Sequence, residues 1–124
     1  MAGHRLTQVV GPLVAESWPS GMSATSTVVQ HLPADSALLV GSSNTARDLD
    51  LGRNPQQIAR KVSAVGNRGL SGIDGLVSTA MGIALAHGRP SFALMGDLTF
   101  LHDSNGLLLG PGEPRPDLTI VVIN

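Results

Sequence analysis

The chain has 124 residues, of which 42% are hydrophobic and 14% charged, and its formal net charge is −1. This length corresponds to at most one domain, and the composition argues against an intrinsically disordered chain. The small net charge and the three aromatic residues (two Phe and one Trp) argue against a basic, aromatic surface for nucleic acid. There is no cysteine and no apolar stretch long enough for a membrane span. These features favour a globular, cytoplasmic protein.

The first third of the chain contains weak helical signals and one clear strand signal. Residues 1–22 are weakly periodic and are interpreted as a lead-in segment with a short helix. Residues 23–32 favour a helix, and the apolar run at residues 36–40 stops at a glycine, as expected of a buried parallel strand. Residues 55–61 could form one or two helical turns, and residues 62–65 are a second candidate strand.

The clearest helix is predicted for residues 73–87, where apolar side chains recur at helical spacing up to a glycine. An S-x-x-D pattern formed by Ser71 and Asp74 is typical of a capping box, in which two side chains bind free backbone amides of the first turn. The helix should therefore begin close to Ile73.

Two further strands are predicted, at residues 91–95 and 118–123, with a helix between them that should begin near Asp103 or Ser104. The alternation of strands and helices predicts an α/β domain over residues 23–124 with a doubly wound, mostly parallel sheet. Because the chain stops directly after its last strand, we expect this domain to be truncated at its C-terminal end.

Polar, glycine-containing clusters follow three of the predicted strands, at residues 41–44 with Arg47, at residues 66–69 and at residues 96–99. The carboxyl ends of parallel strands meet at one edge of a sheet, and such turns present backbone N–H groups to an anion. The clusters therefore indicate a site for phosphate or carboxylate, although glycine and serine also make ordinary turns.

Asp97 lies at the tip of a predicted buried strand. An ionised carboxylate at such a place needs a partner, a role as a helix N-cap, or a hard cation such as Mg²⁺. The four histidines show no metal-ligand spacing, and there is no P-loop pattern. Asp97 is therefore the candidate metal ligand, with the N-cap role as the alternative.

A longer pattern resembles a known family. Residues 66–108, GNRGLSGIDGLVSTAMGIALAHGRPSFALMGDLTFLHDSNGLL, followed by LTIVVIN, resemble the diphosphate-binding domain of thiamine-diphosphate enzymes. Within these enzymes, the NRGxxGIDGxxSTAxG block resembles the decarboxylating synthases of menaquinone biosynthesis. The general family motif is G-D-G, and Leu98 replaces its third residue here, as it does in these synthases. The resemblance covers residues 36–124. It implies that 2-oxoglutarate is decarboxylated and that its succinyl semialdehyde unit is added to isochorismate.

The resemblance also implies the cofactors and the residues that bind them. These cofactors are thiamine diphosphate and Mg²⁺ (or Mn²⁺), with Asp97 as the metal ligand. Gly96, Leu98 and Thr99 would lie beside the diphosphate, and Ile73 corresponds to the bulky residue that holds the cofactor in its bent form. A second metal ligand and the glutamate that activates the cofactor would lie outside these 124 residues.

Three residues correspond to substrate-binding positions of the family, namely Ser43, Arg47 and Arg68. Both implied substrates carry carboxylates, which arginine binds with two parallel hydrogen bonds. No catalytic residue is assigned within the chain. Because the activating glutamate and a second metal ligand would lie outside it, we expect the chain to be inactive alone, and the resemblance implies that its parent is a homodimer or homotetramer. Two alternatives stay open at this point: another thiamine-diphosphate enzyme of the acetolactate synthase or 2-oxoacid decarboxylase type, and a non-catalytic α/β module that binds an anion.

Overall fold

The computed structural model describes residues 2–52, 61–67 and 72–124. Three features predicted above lie wholly or almost wholly outside these residues: Arg68, Ser71 and the helical turns at residues 55–61. Within the described ranges, no helix is both long and apolar enough to cross a membrane.

The described residues form an alternation of helices and parallel strands. In chain order the elements are α1 (Ala2–Glu16), α2 (Gly21–His31), β1 (Ala37–Val40), α3 (Asn44–Gly52), β2 (Ser63–Val65), α4 (Leu76–His87), β3 (Ser91–Gly96), α5 (Asp97–His102), a 3₁₀ turn (Ser104–Leu107) and β4 (Leu118–Ile123). The four strands coincide with the four apolar runs that predicted them, and α2 begins two residues before its predicted start.

The four strands pair in the order β2-β1-β3-β4, and all three pairings are parallel. The register places Leu39 opposite Val65 on one side and opposite Ala93 on the other. The chain thus runs from β1 outward to β2 and then crosses back to β3, so the direction of winding reverses between β1 and β3. In doubly wound folds, ligands bind at the carboxyl ends of the strands beside this switch point.

Helices cover both faces of the sheet, which confirms the predicted doubly wound α/β class. On one face, strand residues pack against α4 in a core formed by Leu39, Leu76, Val77, Ala80, Ala93 and Met95. On the opposite face, Leu38 and Leu94 pack against Leu32, Val28 and Val29 at the end of α2. Each fully buried leucine contributes about 1.5–3 kcal/mol, so the alternation of the strand side chains stabilises both layers.

Gly41 allows β1 and β3 to stay close where β1 leaves the sheet. Its backbone N–H donates to the Leu94 carbonyl at 2.7 Å. A Cβ at this position would lie 2.9 Å from the Cβ of Met95 and 3.1 Å from the carbonyl oxygen of Leu94. Any larger residue would therefore push the two strands apart at the switch point.

The predicted start of the long helix is wrong by one turn. Helix α4 begins at Leu76, and its N-cap is Gly75 in the left-handed conformation (φ +64°), with no capping side chain of its own. Asp103 supplies the cap instead, because its carboxylate accepts from the Ser78 backbone N–H at 2.7 Å and from the Ser78 hydroxyl at 3.2 Å. The helix is thus capped by a residue distant in sequence, which a local pattern cannot reveal.

The helix expected to begin near Asp103 begins at Asp97 instead, directly after β3. Asp103 ends that helix rather than opening it, and a 3₁₀ turn follows. The prediction failed because the first turn of α5 contains Leu98 and Phe100, which look like a continuation of the apolar strand.

Candidate active site

The loops that follow β1, β2 and β3 lie at one edge of the sheet because the three strands are parallel. Two adjacent clefts open there, and we call them the β1–β2 cleft and the β1–β3 cleft. Their volumes are about 570 Å³ and about 470 Å³, which lie in the range of small-molecule sites.

The β1–β2 cleft is lined by Val40, Gly41, Ser42, Ser43, Ala46, Arg47, Ala64, Val65, Gly66, Asn67, Gly72 and Ile73. Arg47 is the cationic residue among these described lining residues, and one guanidinium nitrogen donates to the Asn44 amide oxygen at 3.4 Å. This is the one side-chain bond of Arg47 to the described residues, and since a guanidinium has five N–H donors, it leaves Arg47 able to bind a carboxylate in the cleft. On the far side, the Asn67 amide donates to the Thr79 hydroxyl at 3.4 Å.

The β1–β3 cleft is lined by Gly21, Ser42, Ser43, Asn44, Thr45, Asp48, Ile73, Gly96, Asp97, Leu98, Thr99, Ile123 and Asn124. It therefore contains the predicted metal ligand Asp97 and the three residues predicted beside the cofactor diphosphate, Gly96, Leu98 and Thr99. Thr99 is buried, whereas the Leu98 side chain is 68% exposed at the mouth. The structure thus places residues 96–99 in one cleft with the loop that follows β1, and their role beside a cofactor stays a prediction.

Asp97 is half-buried in the β1–β3 cleft. Across residues 2–52, 61–67 and 72–124, its carboxylate has no hydrogen bond and no ion pair. Nor does it cap α5, because the N-cap position is Gly96 and no side chain caps the helix there. The structural alternative of an N-cap is therefore not realised, and the carboxylate is available to a cation or ligand.

A preformed metal cage is absent from the part of the chain that the structure describes, where no three His, Asp or Glu side chains cluster in a way that could hold a metal. Mg²⁺, however, usually binds proteins through one or two carboxylates and takes its remaining ligands from phosphates and water. Asp97, with Asp48 as a second carboxylate that lines the same cleft, fits that mode of binding.

Ser43 and Ile73 line both clefts and so form part of a shared wall. Ser43 has φ +72°, in the left-handed region that costs a residue with a side chain roughly 1–2 kcal/mol. Such conformations persist where surrounding structure holds them, and they cluster at functional sites. Ser43 and Ile73 therefore stand where the predicted cofactor and substrate positions meet.

Asp48 and Gly21 also line the β1–β3 cleft, and sequence reasoning missed both. A Cβ on Gly21 would run into the Asp48 carboxylate, so the start of α2 lies against this acid. The signal for Asp48 was its spacing of four residues from Asn44, which places both on one face of α3. No local signal marks Gly21, whose position depends on the packing of α2 against α3.

Comparison with known proteins gives one consistent result. No family model matches the chain. It is 59% identical over 111 residues to the 2-succinyl-5-enolpyruvyl-6-hydroxy-3-cyclohexene-1-carboxylate synthase of Saccharopolyspora erythraea, a match that covers 88% of this chain and 19% of the relative. The synthase of the same name from Thermobifida fusca is 60% identical over 98 residues, with 76% of this chain and 17% of the relative covered. That of Nocardia farcinica is 53% identical over 123 residues, with 98% and 22% covered.

The chain belongs, as a partial segment, to the 2-succinyl-5-enolpyruvyl-6-hydroxy-3-cyclohexene-1-carboxylate synthase family. It spans about a fifth of the length of the curated synthases that it matches. The predicted family is thereby confirmed. Arg68, assigned to the substrate from the same resemblance, lies outside the residues that the structure describes.

Proposed function

We propose that the chain forms the diphosphate-binding half of the active site of a 2-succinyl-5-enolpyruvyl-6-hydroxy-3-cyclohexene-1-carboxylate synthase of menaquinone biosynthesis. The observation that carries this proposal is the pair of clefts that share Ser43 and Ile73, one with the carboxylate of Asp97 and the other with the guanidinium of Arg47. One cleft is thus equipped for a metal-bound diphosphate and the other for a carboxylate substrate. The proposal includes a cytoplasmic location and assembly as a homodimer or homotetramer, as the resemblance implies.

In the β1–β3 cleft, Asp97 would hold Mg²⁺ (or Mn²⁺), and Gly96, Leu98 and Thr99 would border the diphosphate. The Asp97 carboxylate, which has no partner among the described residues, and the size of the cleft support this assignment. Thiamine diphosphate would supply the electron sink that a 2-oxo acid needs to lose CO₂. Ile73, on the shared wall, would support the cofactor from the side of the substrate cleft.

In the β1–β2 cleft, Arg47 would bind a substrate carboxylate and so fix the orientation of 2-oxoglutarate or isochorismate. Arg68 is proposed for the same task on the basis of the sequence. The Ser43 hydroxyl stands between the two clefts, where it could hydrogen-bond a substrate oxygen next to the cofactor. These groups would bind and orient the substrates, and positioning of this kind can remove a large part of the activation barrier of a two-substrate reaction.

The decisive experiment uses the protein as it is produced in its source organism, which we call the native protein, and assays it with thiamine diphosphate and Mg²⁺. We expect CO₂ release from 2-oxoglutarate, little release from pyruvate, and formation of the coupled product when isochorismate is added. Preference for pyruvate would instead identify an enzyme of the acetolactate synthase or 2-oxoacid decarboxylase type. Failure to bind thiamine diphosphate in a metal-dependent way would favour the non-catalytic anion-binding module.

A further inference from the structure

Two side-chain contacts tie the helix that begins at Asp97 to the start of α4. In the first, both carboxylate oxygens of Asp103 accept from Ser78, one from the backbone N–H at 2.7 Å and the other from the hydroxyl at 3.2 Å. The Ser78 amide is one of the amides in the first turn of α4 that have no partner within the helix. Asp103, at the C-terminal end of α5, therefore provides the hydrogen-bond acceptor for this free amide of α4.

The second contact involves the residue next to Asp103 and the residue next to Ile73. The Nε2 atom of His102 lies 3.3 Å from a carboxylate oxygen of Asp74. Both side chains are largely exposed, at 51% and 78%, so this contact alone contributes little stability. Its importance lies in its position, because Asp74 directly follows the side chain that lines both clefts.

Gly106 shows that the approach of the two segments is close. A Cβ at Gly106 would lie 2.7 Å from both the backbone nitrogen and the hydroxyl oxygen of Ser78. Only a residue without a side chain allows the 3₁₀ turn to lie this near the first turn of α4. The Asp103–Ser78 bond thus depends on a backbone contact that glycine permits.

We propose that Asp103, assisted by His102, is a positioning residue that fixes Ile73 relative to Asp97. Asp97 begins α5, and Asp103 follows its last residue, whereas Ile73 stands three residues before the start of α4. The bonds across this junction therefore set the distance between Asp97, the proposed metal ligand, and Ile73, which lines both clefts. We call the junction, made by Asp103, Ser78, His102 and Asp74, the α4–α5 clamp. This inference rests on the function proposed above.

If Asp103 only stabilises α4, its loss should not weaken cofactor binding more than any other loss of helix stability does. If it positions the site, its loss should weaken binding specifically. Three variants of the native protein separate the two. Asp103→Ala removes both bonds to Ser78, and Asp103→Asn keeps an oxygen for the Ser78 amide. Ala86→Gly, in the last turn of α4 and exposed, weakens the same helix at its other end. Gly106→Ala provides a fourth test, because it disrupts the same contact without changing a charge.

The readout is the dissociation constant of thiamine diphosphate, measured by calorimetry in the presence of Mg²⁺, together with hydrogen exchange at the Ser78 and Thr79 amides. We expect Asp103→Ala to weaken binding about fivefold and to speed exchange at these amides. Asp103→Asn should recover most of the affinity, Gly106→Ala should resemble Asp103→Ala, and Ala86→Gly should leave binding unchanged.

Three outcomes would overturn the inference. Unchanged affinity in Asp103→Ala with faster exchange would make Asp103 a cap and nothing more. Equal losses of affinity in Asp103→Ala and Ala86→Gly would reduce the effect to the stability of α4. If the unaltered protein did not bind thiamine diphosphate, the proposed function would fail and the inference with it, whereas the first two outcomes leave that function intact.

Discussion

The Asp97 carboxylate is half-buried and has no hydrogen-bonding or charged partner among the residues that the structure describes, so a cation in the β1–β3 cleft would interact with it directly. We predict that Asp97→Asn weakens the binding of thiamine diphosphate at least about tenfold and abolishes its dependence on Mg²⁺, because an amide oxygen is a poorer ligand for a hard cation than a carboxylate. Calorimetric titrations of the native protein with and without Mg²⁺ measure both effects.

Asp117→Asn is the control, because this exposed aspartate directly precedes β4 at the opposite end of the sheet. It makes the same change of charge outside both clefts and should leave the affinity unchanged. Equal Mg²⁺ dependence in Asp97→Asn and in the unaltered protein would remove Asp97 from the metal site.

We predict that Arg47 binds a substrate carboxylate through bidentate hydrogen bonds and not through its charge alone. Arg47→Lys keeps the charge but cannot make two parallel bonds to a carboxylate, so we expect KM for a carboxylate substrate to rise about tenfold with little change in kcat. Steady-state kinetics with 2-oxoglutarate and with isochorismate show which substrate is affected. Arg89→Lys is the matched control, since Arg89 is exposed, pairs with Asp35 and precedes β3; an equal rise there would contradict the assignment.

At the scale of the elements, the contact between β1 and β3 determines where the two clefts lie. Gly41→Ala inserts a Cβ against Met95 and the Leu94 carbonyl. We expect a loss of about 1–3 kcal/mol in the free energy of unfolding, measured by urea denaturation.

Gly82→Ala is the control for this glycine, because a Cβ at Gly82 in α4 meets no atom within 4 Å. It should stabilise the protein by about 0.5–1 kcal/mol, since alanine favours a helix more than glycine. Similar effects of the two substitutions would mean that Gly41 is not needed for close packing.

The elements could be predicted from sequence wherever the pattern that forms them is local. Strand β4 (Leu118–Ile123) and the helical spacing of Leu76 to Ala84 are visible in the order of apolar residues, because burial imposes it. The start of α4 was misplaced because its cap comes from Asp103, 25 residues further along the chain. The start of α5 was misplaced because no local pattern separates the end of a buried strand from an apolar first turn.

The location of the candidate site could be predicted from sequence because it follows from the order and direction of the strands. Once parallel strands are assumed, the residues after β1 and β3 must share an edge, and Ser43 and Asp97 indeed line one cleft. Asp48 and Gly21 were missed because their place depends on how α2 packs against α3. The contact between Asp103 and Ser78 was missed for the same reason, since tertiary packing creates it.

At the scale of the whole molecule, the chain corresponds to about a fifth of the synthases that it matches. We predict that the purified 124-residue polypeptide forms no product from 2-oxoglutarate and isochorismate, because the activating glutamate and a second metal ligand would come from elsewhere in the parent protein. The native protein, assayed in parallel with thiamine diphosphate and Mg²⁺, should form product. Turnover by the short polypeptide would contradict the division of the site proposed here.

Ser43 and Ile73, together with Ser42, line both clefts. A guest in either cleft touches side chains that the second guest must also meet, so the free energies of the two binding events are linked. Thermodynamic linkage requires this effect to be equal in both directions: whatever the first guest does to the affinity for the second, the second does to the affinity for the first. Because residues at the ends of neighbouring strands line both clefts, the filling of one cleft at this sheet edge is coupled to the filling of the other.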